Sequence, residues 1–313
     1  TTSTWRALDP SLDRMSEEMG DGDPRAGFPG EALQWYFEQR ATPAGSIPGD
    51  WKDRALEHIR IHNRTDLRLN PAAVSWVAVG PSNIGGRVRS IVVDPTNANI
   101  WYAGSVSGGV FKSTTAGASW FPTDDFAANL AISSIVIDPS NTAILYAATG
   151  EGMYNIDAVR GAGVRKSTNG GSSWILQTGF TGGPGFPYYI NDLYLRPDST
   201  SKLYAATNNG LFRTTNGGSS WTFLHQGTSS RATQIVQHPA SPATFYVCYG
   251  NFSTDGIYRT TNGGGSFTKL TAGLPTSGYT RIALAIAPSN PQVLYAVFNS
   301  SSNITRGIWK STN

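Results

Sequence analysis

Apolar and polar positions alternate in short runs along most of this chain, and the runs recur. Ser90-Ile-Val-Val-Asp-Pro95, Ser134-Ile-Val-Ile-Asp-Pro139, Asp192-Leu-Tyr-Leu-Arg-Pro197, Gln234-Ile-Val-Gln-His-Pro239 and Ala283-Leu-Ala-Ile-Ala-Pro288 are β-rich segments closed by proline. Proline has no N–H to give a ladder, so each run predicts a strand that stops there. A polar turn follows, then a second apolar run: Ile100-Trp-Tyr-Ala103, Leu145-Tyr-Ala-Ala148, Leu203-Tyr-Ala-Ala206, Phe245-Tyr-Val-Cys248 and Leu294-Tyr-Ala-Val297. A third strand, as in Gly109-Val-Phe-Lys112 and Gly210-Leu-Phe-Arg213, enters a turn rich in Ser, Thr, Asn and Gly. The fourth begins at the aromatic residue that closes this turn.

The turn is the most repetitive stretch. Its copies are Ser113-Thr-Thr115-Ala-Gly117-Ala-Ser-Trp120, Ser167-Thr-Asn169-Gly-Gly171-Ser-Ser-Trp174, Thr214-Thr-Asn216-Gly-Gly218-Ser-Ser-Trp221 and Thr260-Thr-Asn262-Gly-Gly264-Gly-Ser-Phe267, with Ser311-Thr-Asn313 at the end of the sequence. Their first residues, 113, 167, 214, 260 and 311, stand 54, 47, 46 and 51 apart. A recurrence of that length, with four short antiparallel strands per unit, predicts an all-β fold, a β-propeller of four-stranded blades. The Asn side chain and the Ser or Thr hydroxyl accept backbone hydrogen bonds within such a turn. The glycines take positive φ without a Cβ penalty. The closing Trp or Phe is a plate that can wedge between neighbouring sheets.

The pattern Ser/Thr-x-Asp/Asn-x-Gly-x-x-aromatic resembles the Asp-box of the BNR-repeat family, found in sialidases, sortilin-type receptors, xyloglucanases and many secreted bacterial proteins. The resemblance implies that the boxes are folding devices on the face away from the ligand. Thr115 stands where Asp or Asn is expected, so the first box should be the weakest. Gly80–Arg89, Gly104–Ser113 and Gly150–Gly163 further resemble large secreted proteins of this type often labelled glycosyl hydrolases.

Residues 1–70 lie outside the repeat, and 71–313 contain it. In the first part, Pro29–Arg40 and Asp50–Ile61 predict two amphipathic helices that form an arm, either packed on the propeller or used to dock a partner. Ser75–Gly80 resembles a displaced fourth strand with Trp76 in the place of a box aromatic. It either closes a ring of five blades or, if the sequence is part of a longer chain, a ring of about six to eight.

Composition narrows the function. Charged residues make up 14% and the net charge is +3, with Lys and Arg scattered, which argues against a nucleic-acid partner. The single Cys248 offers no disulfide framework and sits in a strand, as a buried thiol would. No run reaches the ~18–20 apolar residues of a membrane span. The resemblance implies an extracellular or cell-surface protein whose signal peptide has been removed.

Chain direction alternates between strands, so connections fall on two faces. The boxes and the first-to-second turns share one. The longer, varied fourth-to-first and second-to-third connections share the other, where binding is expected. That rule collects Asn83, Arg87, Arg89, Asp124, Asp125, Glu151, Tyr154, Asn155, Asp157, Arg160 and Asp192 as candidate ligand-binding residues. Tyr188, Tyr189, Asn191, Asn208, Asn209, Arg231, Asp255, Tyr279, Arg281 and Arg306 complete the rim. Acids, arginines, amides and tyrosines converging at one mouth suit a polar or carbohydrate ligand, and equally suit salt bridges that lock loops together.

A glycosidase needs two carboxyl groups across the scissile bond. Glu151, Asp157 and Asp192 are the catalytic candidates, with Arg87 or Arg160 to orient a substrate. The resemblance to xyloglucanases implies a catalytic Asp before the paired glycines of the first blade; here Val106 precedes Ser107, Gly108 and Gly109. The Arg-Ile-Pro signature of sialidases is absent. His58 and His62 stand one helical turn apart without the further ligands of a metal site. No cofactor is expected, although acidic loops of this kind can take Ca²⁺. The leading expectation is a non-catalytic propeller that binds a glycan or protein at the cell surface, with self-assembly an option. The alternative is a glycoside hydrolase or lyase that uses the 150–163 insertion.

Overall fold

The computed structural model describes Arg54, Glu57 and residues 86–311, apart from 125, 126, 128, 153–157, 230, 252, 301 and 303. The chain divides into two units, Thr1–Leu67 and Arg68–Asn313. In the first, Arg54 and Glu57 are helical and exposed, and both fall within the second expected helix. The remainder of the expected arm, His58, His62 and the strand at Trp76 lie outside the described residues.

Among its described residues, the second unit forms five sheets, antiparallel except for one edge pair, laid down in sequence order. Blade 1 comprises β1 (Val88–Val93), β2 (Trp101–Ser105), β3 (Gly109–Ser113) and β4 (Phe121–Pro122). Blade 2 comprises β5 (Ile132–Ile137), β6 (Leu145–Thr149), β7 (Val164–Ser167) and β8 (Ile175–Gln177). The next segment, β9 (Phe180–Thr181), leaves blade 2 and pairs in parallel with the outer strand of blade 3. Blade 3 is β10 (Ile190–Leu195), β11 (Leu203–Thr207), β12 (Gly210–Thr214) and β13 (Trp221–His225). Blade 4 is β14 (Ala232–Gln237), β15 (Phe245–Tyr249), β16 (Gly256–Thr260) and β17 (Thr268–Leu270). Blade 5 is β18 (Arg281–Ala287), β19 (Asn290–Asn299) and β20 (Thr305–Ser311). The inner strands β1, β5, β10, β14 and β18 pack one against the next.

Apolar cores lie between blades rather than within them. Tyr102 and Val110 of blade 1 meet Ile135, Leu145 and Ala147 of blade 2. Tyr146 and Val164 then meet Leu193 and Phe212, and the pattern continues through Tyr204 with Ile235 and Tyr246 with Leu284. Parallel-packed sheets of this kind need both faces apolar, which is why the second strands read Leu-Tyr-Ala-Ala rather than alternating.

Two sets of polar bonds join neighbouring blades, the first across all four junctions and the second across the first three. The first lies on the inner strands, each of the first four carrying a bulge just before its donor or acceptor side chain. Ser90 Oγ accepts the N–H of Ile135 at 2.9 Å, and Ser134 Oγ that of Leu193 at 3.3 Å. Asp192 Oδ2 accepts the N–H of Ile235 at 2.9 Å, and Gln234 Oε1 that of Leu284 at 2.8 Å. The second set uses the repeated turn. Tyr102 Oη and Lys112 Nζ both donate to the Gly170 carbonyl, at 3.0 and 2.9 Å. Tyr146 and Lys166 do the same to Gly217 at 3.3 and 2.9 Å, and Tyr204 to Gly263 at 2.8 Å.

The turns themselves form as their residue types predict. Ser167 Oγ accepts the N–H of Gly171, and Asn169 Oδ1 that of Ser173, both at 2.9 Å. The copies at Thr214/Asn216 and Thr260/Asn262 repeat both bonds. The expected weakness at Thr115 is not seen in its bonding: Thr115 Oγ1 takes the Ser119 N–H at 2.9 Å, the same length as Asn169 makes. The departure lies one residue later. Gly170, Gly217 and Gly263 have φ of 67°, 66° and 67°, and Ala116 stands in the same place with φ of 53°. The closing aromatics do wedge between blades: Trp174 Nε1 donates to Thr123 of blade 1 at 3.1 Å, and Trp221 stacks on Phe180 at 5.2 Å.

Candidate functional site

The mouth forms where the fourth-to-first and second-to-third connections gather, as chain direction requires. Its centre is the segment Gly150-Glu151-Gly152, which follows β6. Gly150 has φ of 94° and lies so close to the backbone of Tyr188 that a Cβ would overlap the carbonyl oxygen. A Cβ on Gly152 would likewise overlap Oδ1 of Asn191 on blade 3. Only glycine lets the segment approach this near to its neighbours.

Glu151 is 1% exposed, and two arginines of blade 1 face it. Arg87 Nη2 is 3.6 Å from Oε2 and Arg89 Nη1 is 3.8 Å from Oε1. These distances are electrostatic contacts rather than hydrogen bonds, and neither carboxylate oxygen has a hydrogen-bond partner. Asn191 Oδ1, buried beside it, is in the same condition, while Asn191 Nδ2 donates to the Ala232 carbonyl at 2.7 Å. From blade 4, Asn251 Nδ2 reaches the Gly152 carbonyl at 3.2 Å. From blade 5, Arg281 Nη2 donates to Asn251 Oδ1 at 3.3 Å. Burial and the positive charge of Arg89 lower the Arg281 pKa, against the opposing pull of Glu151. All five blades thus contribute to one polar centre, in which Arg87 and Arg89 face a single carboxylate and Arg281 joins the same segment through Asn251.

The remaining candidates separate. Asp192 is half-buried on the inner strand β10, where it accepts the N–H groups of Leu193 and Ile235 and the hydroxyl of Ser134. Asp124 pairs with buried Arg165 of blade 2 at 3.9 Å, lining a small recess with Gly109, Leu130 and Trp174. Arg160 lies over the Tyr188 ring at 4.6 Å, and its carbonyl accepts from Asn129 Nδ2 at 2.6 Å. Asp255 is buried and held by Ser229 N–H, Tyr258 Oη and Lys269 Nζ. Asn83, Asp125, Tyr154, Asn155 and Asp157 lie outside the described residues. Among the described residues, no three His, Cys, Asp or Glu side chains gather as a metal set, and no helix is long and apolar enough to cross a membrane.

Asn251 was not among the residues that the sequence singled out. A signal existed: Gly250-Asn251 follows the second strand of blade 4 as Gly150-Glu151 follows that of blade 2. The backbone bonds Gly250 N–H to Arg231 and Gly150 N–H to Ala131 repeat the equivalence.

Fold and mouth together define a β-propeller protein of four-stranded blades. Solved structures of that kind are similar to it. An ancestral GH74 enzyme is 25% identical, with a TM-score of 0.56 over 77% of this chain and 33% of that one. The GH74 enzyme of Niastella koreensis is 22% identical, with a TM-score of 0.51 over 72% and 36%. YCF48 bound to D1 peptide is 12% identical, with a TM-score of 0.48 over 72% and 69%. The chain therefore spans about a third of the length of these GH74 enzymes. No described protein family and no curated protein matches it.

Proposed function

We propose that this propeller is a non-catalytic binding and assembly module, working outside the cell or at its surface, whose mouth holds a polar glycan or protein ligand. The observation that supports this reading is the state of Glu151. A general acid or nucleophile must reach its substrate, yet this carboxyl is buried beneath Arg87 and Arg89. The outward-facing groups are the guanidiniums, with side chains 41% and 28% exposed. Glu151 faces both of them, and two arginines beside one acid, with Arg281 bonded to Asn251 nearby, leave a surplus of positive charge toward the solvent. Such a mouth favours ligands rich in hydroxyl and carboxylate oxygens, which guanidinium forks bind well.

A glycan array that carries neutral and uronate-bearing oligosaccharides, followed by product analysis on every bound glycan, tests the reading. Retention without cleavage, lost in the Arg87→Ala/Arg89→Ala double variant, is the expected result. Turnover that disappears in Glu151→Gln overturns it and makes the protein a glycoside hydrolase or lyase.

A further inference from the structure

The connection from blade 2 to blade 3 runs from the outer rim back to the mouth, and it is fastened at both ends. At the rim, β9 makes the one parallel pairing among the described residues, over only two residues, against Trp221 and Thr222. The Gly179 carbonyl accepts the Trp221 N–H at 2.7 Å, and Thr181 Oγ1 donates to the Trp221 carbonyl at 3.1 Å. Phe180 supplies the apolar anchor. Its ring stacks on Trp221 at 5.2 Å and meets Phe212 at 5.3 Å and Phe186 at 5.7 Å, both edge to face.

At the mouth, the Tyr188 carbonyl accepts the Gly161 N–H at 2.7 Å. Tyr189 exchanges two bonds with Asn208, both at 3.0 Å. The Gly150–Gly152 segment presses on this end, for a Cβ on Gly152 would stand 2.6 Å from that of Tyr189. Between the two ends, residues 181–185 are exposed, and Gly182, Gly183 and Gly185 have positive φ. One side chain of blade 3 fastens the middle: Asn209 Nδ2 donates to the Gly185 and Phe186 carbonyls, each at 3.1 Å. Phe186 then meets Tyr188 at 5.3 Å, so ring contacts run unbroken from Trp221 to the mouth.

A segment that buries so little of itself opens at a lower free energy than the blades it joins. We propose that residues 178–189 form a latch that opens as one unit, with Phe180 as its bolt, and that release at the rim frees the Gly150–Gly152 segment at the mouth. The ring contacts make the opening cooperative. Withdrawal of Phe180 takes a partner from Phe186, and movement of Phe186 takes one from Tyr188, whose backbone braces Gly161. Whatever lifts Phe180 from blade 3 therefore loosens the chain on either side of Glu151. This inference concerns how the mouth is held and stands whether or not a ligand enters it.

Native-state hydrogen exchange of the intact chain, read amide by amide by NMR, tests it. Three amides donate to carbonyls of the latch: Trp221 at the rim, and Asn208 and Gly161 at the mouth. All three should exchange with one opening free energy. Phe180→Ala should speed all three by about tenfold or more, since it removes several ring contacts at once, and leave the Leu284 amide of blade 5 unchanged. Acceleration at Trp221 alone overturns the proposal, because the rim then opens without the mouth. No acceleration at any of the three overturns it too, because Phe180 is then not what holds the latch. Should the substitution speed Leu284 as well, Asn209→Asp decides. That variant keeps every ring and turns a carboxylate toward the Gly185 and Phe186 carbonyls. Equal acceleration of the three amides supports the latch, and unequal or absent acceleration overturns it.

Discussion

Gln234 and Leu284 exchange two hydrogen bonds across the junction of blades 4 and 5. The side-chain Oε1 accepts the backbone N–H at 2.8 Å, and Nε2 donates to the carbonyl at 3.0 Å. Gln234→Ala leaves both backbone groups unpaired in a half-buried setting, at a cost of roughly 1–3 kcal/mol. Urea unfolding should show that loss with an unchanged m-value. A change within the error of the measurement would mean that these groups find other partners and that the junction does not rely on the side chain.

Asp192 occupies the corresponding place one blade earlier, and the pH dependence of stability should report it. Burial raises its pKa from 3.8 to about 6, partly opposed by bonds from the Ile235 N–H, Ser134 and the Leu193 N–H. The folded chain therefore holds this proton more tightly than the unfolded chain. Its contribution is greatest below about pH 4, falls as pH rises to about 6 and stays at its lowest above that. The shift amounts to about 3 kcal/mol. Asp192→Asn should remove this downward slope, as read from unfolding free energies at several pH values. A variant with the slope of the parent chain would assign the effect elsewhere.

Ala116 adopts a left-handed conformation that its three counterparts fill with glycine. Relief of that strain is only partly offset by the greater freedom of glycine when unfolded, so Ala116→Gly should stabilise by about 0.5 kcal/mol. The reverse changes should destabilise by about 1 kcal/mol or more. Gly263→Ala should cost more than Gly170→Ala, because the new Cβ would stand 2.8 Å from Arg196 Nη1 rather than 3.5 Å from Lys112 Nζ. Thermal unfolding of the three variants checks the order.

The strands and turns were legible because their chemistry is repeated: proline ends the first strand, Asx and glycine make the turn, and an aromatic residue closes it. The inner-strand bonds were not, because Ser90, Ser134, Asp192 and Gln234 share only a forward-facing lone pair and no residue type. An acid at such a position looks the same in sequence as one at the mouth, so the direction rule collects Asp192 with Glu151, although its carboxylate is bonded to Ser134, Leu193 and Ile235 at the blade junctions. The rule of alternating chain direction did bring Arg87, Arg89 and Glu151 together. It could not show that Glu151 is covered, since that depends on how closely Gly150 and Gly152 let the backbone approach Tyr188 and Asn191.

Cys248 is fully buried between blades 4 and 5, and burial, with the negative charge of Asp192, pushes its thiol up to about 12. Thiolate is the reactive form, so the native protein should resist iodoacetamide at pH 8 and be alkylated at once in denaturant. Mass spectrometry distinguishes the two states. Rapid labelling of the native chain would show that the junction opens on the timescale of the reaction.

The inner-strand and turn bonds that join blades reach forward: Ser90, Tyr102 and Lys112 hold blade 2, Ser134, Tyr146 and Lys166 hold blade 3, Asp192 and Tyr204 hold blade 4, and Gln234 holds blade 5. A ribosome releasing this polypeptide would present each gripping side chain before the segment it captures. Synthesis then proceeds like a zip closing behind the exit tunnel, with no need to wait for the distal end. Premature termination should spare the blade junctions made earlier, while the mouth, to which every blade contributes, waits for the last strands.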